Sequence, residues 1–333
     1  MTQAADIILS KLTAINLNVA IWAPKGRLSA QDFNGAELPA AELAALGSKK
    51  ICDPQSLKIF SALKASAINL LELNGTPFIG GFVVPENRAL DLRDRLVDIQ
   101  TDFQEAKLEF IEAYAKSLES WLSAHPQWEE TVASSTISAK YIQKDFYFNW
   151  LFYKVSVPDR RIGDNLIYEV EALGDRLFYD ISKSARNVWA NVYEGTSQVS
   201  HDALMPLRFM RDKLGFFSFV EPKALGLANL IGEALNGIPK RGQIKDQTLI
   251  RLKALLSMLQ NPDEILEYAQ KISQGVQSSI VLDSIIRSFD PKADIKIVED
   301  SPLGFADYNI AAGATNLNDS MDEEGALDSL GLW

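Results

Sequence analysis

The chain has 333 residues, 47% of them apolar and 23% charged, with one cysteine, two histidines and a net charge of −11. That composition fills one large core or two ordinary ones, and a single cysteine excludes an internal disulfide framework and fits a reducing, cytoplasmic setting. No run of about 18 uncharged apolar residues exists, so no membrane span is expected, and the histidine and cysteine counts leave no zinc cluster, metal site or cofactor to expect.

The charge is uneven. Residues 299–333 hold eight acidic residues and no Lys or Arg, which leaves −3 on the preceding 298. A nearly neutral body gives little support to non-specific nucleic-acid binding, which needs a dense basic face.

In chain order, residues 1–84 read as a small α/β portion. "MTQAADIILSKLTAINLNVAIW" carries Asp6 early and lacks a basic start, so it reads as folded chain rather than a signal peptide. Leu17 to Trp22 has strand alternation and runs into the turn chemistry of "PKGR". "DPQSLKIFSALKASAINLLELNG" predicts a helix: Asp53 is a natural N-cap, Pro54 suits the first position, and Gly75 can close the end. "TPFIGGFVVP" reads as a second strand, kinked or closely approached at Gly80–Gly81.

Residues 85–200 predict a long antiparallel helical hairpin. In the first arm Leu92, Leu96, Ile99, Phe103, Ala106 and Phe110 step by four and three, a heptad seam. About 38 helical residues reach roughly 57 Å, so this arm needs a long partner. Leu166, Val170, Leu173, Leu177, Ile181, Ala185, Val188 and Val192 supply a matching stripe, closed near Gly195. The arms could also pair between two copies of the chain. The connector, "YIQKDFYFNWLFYKVSVP", holds seven aromatics from Tyr141 to Tyr153. Core packing is the plain expectation for them; a base-stacking platform would need interleaved arginines.

Residues 201–290 predict a bundle of shorter helices: "SHDALMPLRFMRDKLGF", "EPKALGLANLIGEALNG", "DQTLIRLKALLSMLQ" and "NPDEILEYAQKISQGVQSSIVLDSIIRSF". Residues 291–333 form an acidic tail with little periodicity and little expected order. The fold class is therefore mainly α with a small β element.

Motifs for chemistry are sparse. His201–Asp202 is an HD dipeptide, but His125 is the only other histidine, and the pair follows Ser200 where a helix starts. Cys52 lies beside a helix N-terminus with no histidine nearby, which favours an inert thiol. No GxxxxGK followed by Ser or Thr is present, so the chain is not a P-loop ATPase. The sequence favours a non-enzyme.

Three sets of residues could bind a partner. Leu327, Leu330, Leu332 and Trp333 are hydrophobic anchors beside acid, the composition of a short docking motif; the alternative is that Trp333 docks on its own body. Trp22, Lys25 and Arg27 could present an aromatic and two cations to an anion, unless Trp22 simply ends a strand in the core. Arg208, Arg211, Lys213, Lys240, Arg241 and Lys245, with Lys183 and Arg186, could form a phosphate-binding face for DNA or RNA.

Finally, "LNVAIWAPKGRL", "LPAAELAALGSKKI" and "GTPFIGGFVVPENRA", leading into a helix that ends "AYAKSLESWLSAHPQW", resemble a bacterial and phage family of unknown function. The resemblance spans roughly residues 15–290. It implies a setting on phages or conjugative elements, near MoxR-like or cobaltochelatase-type AAA+ ATPases and von Willebrand A proteins, and transfers no catalytic residue. The expectation is a non-enzymatic accessory or adaptor protein; the alternative is a nucleic-acid-processing accessory factor.

Overall fold

The computed structural model describes residues 2–28, 32, 47–133, 135–159 and 164–290. The chain opens with α1 (Thr2–Ser10), β1 (Leu12–Ala20) and two short strands, β2 (Lys25–Arg27) and β3 (Ser48–Lys50). Asp53 then caps a 3-10 turn by accepting from the Gln55 N–H at 2.9 Å, and Pro54 pre-sets the turn that leads into α2 (Lys58–Asn74). Gly75 ends α2 in an extended conformation. A Cβ there would lie 2.8 Å from the Val83 carbonyl oxygen, so glycine is needed for close approach.

The segment expected as one strand is a hairpin. Its arms are β4 (Thr76–Phe78) and β5 (Gly81–Pro85), turned by Ile79 and Gly80 at φ 45° and 71°. Both turn residues are left-handed, as the favoured two-residue hairpin turns demand. Next come α3 (Glu86–Ala124), α4 (Glu129–Ala133), α5 (Ala139–Ile142) and β6 (Tyr147–Tyr153).

From residue 164 to residue 290 the elements are helices apart from one small ladder: α6 (Asn165–Glu171), α7 (Leu173–Val188), β7 (Gln198–Val199), α8 (Met205–Phe216), α9 (Lys223–Leu235), β8 (Ile244–Lys245), α10 (Asp246–Leu259), α11 (Pro262–Ser273) and α12 (Ser278–Phe289). The fold is thus mainly α with a small antiparallel β part. Two helices stand where one was expected after Asn261, because Gly275 takes φ 95° between α11 and α12. No helix among the described residues is long and apolar enough to cross a membrane.

A four-stranded antiparallel sheet, ordered β4-β5-β1-β6, separates two cores. Alternation along each strand divides its side chains between them. Ile15 and Val84 face an aromatic core with Phe60, Phe103, Phe110, Phe146 and Phe148. Leu12, Ala14 and Val83 face the second core, built from α1 and the helices after residue 165. The aromatic rings interlock: Phe60 meets Phe146 at 4.6 Å and Phe103 at 5.1 Å, and Phe103 meets Phe148 at 5.5 Å. Polar ties join the two halves. Lys213 Nζ of α8 donates to the Glu72 carbonyl oxygen at the end of α2 (2.8 Å) and to Asp180 of α7 (3.1 Å). Arg88 of α3 bonds Asn74 and lies over the Phe216 ring.

The long hairpin is replaced by a different arrangement. The heptad seam of α3 is buried at Leu92, Leu96, Phe103 and Phe110 as expected, but α2 and the sheet cover it. The expected second arm is broken at Ala172 into α6 and α7, ends in a π turn over Trp189–Tyr193, and packs on α8, α10 and α11. The physical reason lies in side-chain size. The α3 seam is rich in rings, and a ring-rich strand and the half-length α2 fill the space beside it better than a second long helix. The seam therefore needs no second copy of the chain.

The aromatic connector supplies that strand. β6 pairs β1 over its whole length, from Ala14↔Tyr153 to Ala20↔Tyr147. Phe146 and Phe148 are fully buried, Trp150 and Phe152 are half-buried against the same core, and Tyr141 is exposed. β6 is an edge strand, and α3 guards part of that edge. Gln100 Nε2 donates to the Phe148 carbonyl oxygen at 2.6 Å and Lys107 Nζ to that of Phe146 at 2.7 Å. Burial holds the Lys107 ammonium pKa below its ordinary value.

Candidate partner-binding surfaces

Two surfaces on the aromatic half stand out. The first is the ribbon of β2 and β3, registered as Lys25↔Lys50, Gly26↔Lys49 and Arg27↔Ser48. Its base is fixed in the core. Trp22 is buried between Phe110 and Tyr114 of α3, edge-on to Tyr114 at 5.8 Å, and Ile51 and Cys52 are buried on the returning strand. The Ile51 N–H donates to the Pro24 carbonyl oxygen at 2.9 Å and closes that base.

Gly26 decides which way the ribbon faces. A Cβ at this position would sit 2.9 Å from Ser135 Cβ, so only glycine lets the inner face lie against that turn. On the inner face beside Gly26, the Lys49 ammonium is held 2.6 Å from Asp32. Alternation then sends Lys25, Arg27 and Lys50 to the outer, exposed face. Lys25 and Lys50 are directly opposite, a like-charge pair that costs stability. No ion pair joins any of these three cations to a carboxylate among the described residues.

Of the expected trio, Lys25 and Arg27 share this face, whereas Trp22 does not. It is the ring that anchors the ribbon to α3. Lys50 is the residue the sequence reading missed. It lies 25 positions from Lys25, and only the β2–β3 register brings it alongside.

The second surface is the outer stripe of α3. Leu90, Val97 and Leu108 are 68%, 40% and 65% exposed on α3, the longest helix among the described residues. Spacings of seven and eleven residues put all three within about 20° of one another around the helix axis, over about 27 Å. Between them lie Asp94, Thr101 and Gln104, all exposed.

One member of the expected phosphate-binding face is overturned. Lys213 is buried, its ammonium held by Asp180 and the Glu72 carbonyl, and burial outweighs that carboxylate to push its pKa below the ordinary value. It cannot reach a phosphate, because its position on the inner side of α8 faces α2 and α7. Arg211 is engaged by Asp212 at 2.7 Å. Lys183 lies 3.9 Å from Glu72, and Arg186 bonds Ser182 and lies over the Tyr179 ring. Arg208, Lys240, Arg241 and Lys245 are exposed, with Lys245 4.0 Å from Asp246.

Burial pushes the Cys52 thiol up to about 11, against the smaller pull of its Ser56 hydrogen bond, so the thiolate that reacts is scarce near neutral pH. His125 Nδ1 lies 2.9 Å from the Trp121 carbonyl oxygen at the end of α3, and its ring packs against that of Trp121 at a tilt of 46°. His201 and Asp202 sit in a 3-10 turn before α8, where Ser200 occupies the cap position without a side-chain bond. Among the described residues no group of three or more His, Cys, Asp and Glu is placed to hold a metal ion. A depression of about 430 Å³ is lined by Ile280, Asp283, Ser284, Arg287 and Ser288, all on α12, so among the described residues it has no opposing wall. Leu327, Leu330, Leu332 and Trp333 lie outside the described residues.

Residues 9–261 match a family model described as "Protein of unknown function (DUF3150)". No curated protein and no solved structure matches the chain. The match runs from the end of α1 to the residue before α11.

Proposed function

We propose that this chain, which belongs to the DUF3150 family, is a non-enzymatic accessory or adaptor protein of a phage or mobile-element system. It works in the cytoplasm with an AAA+ ATPase, or with a von Willebrand A protein beside it, through protein–protein contacts. The observation that carries this reading is the α3 stripe. Three large apolar side chains held in water, in line, on the longest helix gain free energy when a partner covers them; each is worth about 1.5–3 kcal/mol if fully buried. The family resemblance supplies the ATPase as the partner class. The C-terminal Leu327, Leu330, Leu332 and Trp333 provide a second contact of the short-motif kind.

The test is co-purification of the chain with the AAA+ ATPase encoded beside it. The wild type, the double variant Leu90→Glu/Leu108→Glu and a chain ending before Met321 are compared. Retention of the ATPase by the wild type, lost or weakened at least tenfold in the double variant with its melting temperature unchanged, is the expected result. Equal retention by all three removes both contacts, and no retention by any removes the adaptor role.

A further inference from the structure

We infer that the outer face of the β2–β3 ribbon is a docking site for an extended acidic segment of a protein partner, one whose carboxylates recur at alternate residues. The inference concerns a surface separate from the α3 stripe and does not depend on the ATPase being the partner.

Four observations carry it. The face is aimed by structure rather than by chance, because Trp22 and Ile51 root the ribbon in the core and Gly26 lays its inner side on Ser135. The inner cation, Lys49, is matched with Asp32, whereas the three outer cations have no carboxylate within ion-pair distance among the described residues. Lys25 stands directly across from Lys50, where the two backbones are about 5 Å apart, so an anion placed between them relieves a repulsion already built into the fold. Finally, Lys25 and Arg27 are two residues apart on one strand and therefore about 6.7 Å apart. An extended peptide with acidic side chains at alternate positions repeats at that same interval.

The charge balance selects this occupant over a nucleic acid. Three cations match two or three carboxylates. A continuous polyanion would instead meet the rest of a body whose net charge over the first 298 residues is −3. Exposed pairs are individually weak and screened by salt, so the contact steers and registers a partner rather than holding it alone.

The experiment uses the full chain at low ionic strength and two fluorescent peptides of equal composition, one with glutamate at alternate positions and one with the same glutamates in a block. A single-stranded oligonucleotide of matched charge is the third probe. The alternating peptide is expected to bind best, to lose at least tenfold in affinity when salt rises from about 50 to 300 mM, and to lose as much in Lys25→Gln/Arg27→Gln/Lys50→Gln. The single variant Lys50→Gln should keep or raise the melting temperature while weakening the peptide, which separates a docking role from a folding one. Three results would overturn the proposal. The oligonucleotide could bind in preference, with the same variants abolishing it; the two peptides could bind equally; or none of the probes could show salt-sensitive binding.

Discussion

The two cores on either side of the sheet are built differently, and the difference bears on which faces are left in water. Among the described residues, seven of the eighteen buried in the core under α2 and α3 are aromatic, against four of forty-one in the core of α7 to α12. Rings are rigid and cover large areas with few residues. The aromatic half can therefore be held together by one long helix, one shorter helix and a sheet face, leaving the outer side of α3 and the outer face of the β2–β3 ribbon in water. The aliphatic half is built from many small contacts among several helices, and its exposed apolar side chains, such as Tyr168 on α6, Leu225 on α9 and Ile280 on α12, are spread over different helices rather than aligned on one.

Truncation should break that comparison most severely. The family match stops at residue 261, yet Ile265, Ala269, Val281, Leu282, Ile285 and Ile286 of α11 and α12 are buried in the aliphatic core. A chain ending at Asn261 should lose cooperative unfolding in a thermal melt, since removing six buried apolar side chains exceeds the 5–15 kcal/mol margin of an ordinary domain once the surfaces beneath are exposed. A cooperative melt near that of the full chain would show that the two helices are an addition to the core rather than part of it.

Single substitutions sharpen the contrast. Phe103→Ala removes a fully buried ring that touches Phe60, Phe146 and Phe148 and should cost about 3–5 kcal/mol in denaturant unfolding. Leu90→Ala, on the same helix facing outward, should fall within about 0.5 kcal/mol. Lys213 tests the tie between the halves. Lys213→Met leaves Asp180 without its cation and should cost about 2 kcal/mol, less than a fully buried pair because Asp180 keeps some contact with water. The double variant Lys213→Met/Asp180→Leu should recover much of that loss. If the single and double variants are equally unstable, the Glu72 carbonyl rather than the carboxylate is the partner that counts.

Cys52 gives the smallest effect. Its thiol ionises near 9 when unfolded and at about 11 when folded. Below pH 9 both states hold the proton, and stability does not depend on it. Between pH 9 and 11 the unfolded thiol ionises while the folded one does not, so stability falls as pH rises through that window. Cys52→Ala should flatten this slope, and in the wild type alkylation near neutral pH should be slow until the chain is denatured.

Much of this was legible in the sequence, for identifiable reasons. Asp53 and Pro54 announced the start of a helix because capping is local chemistry, and the α3 seam was plain because its period persists for five turns. The hairpin partner was misassigned because a seam shows that something covers it without saying what. The covering strand, β6, was hidden because seven aromatics in thirteen residues mask the alternation that would mark it. Lys50 was missed because a cross-strand neighbour has no signature in spacing, and Lys213 was misplaced because a lysine on the inner side of a helix reads in sequence like one on the outer side.

We propose that the outward faces of the aromatic half carry the contacts to partners. Photo-crosslinking tests it most directly, with a crosslinking residue placed at position 108 on α3 or at position 266 on α11, both apolar and exposed, in cells that also express an AAA+ ATPase of the proposed partner class. Covalent capture of the ATPase from position 108 and not from 266 is the predicted result. Capture from 266 in preference to 108, or from neither, would contradict the account.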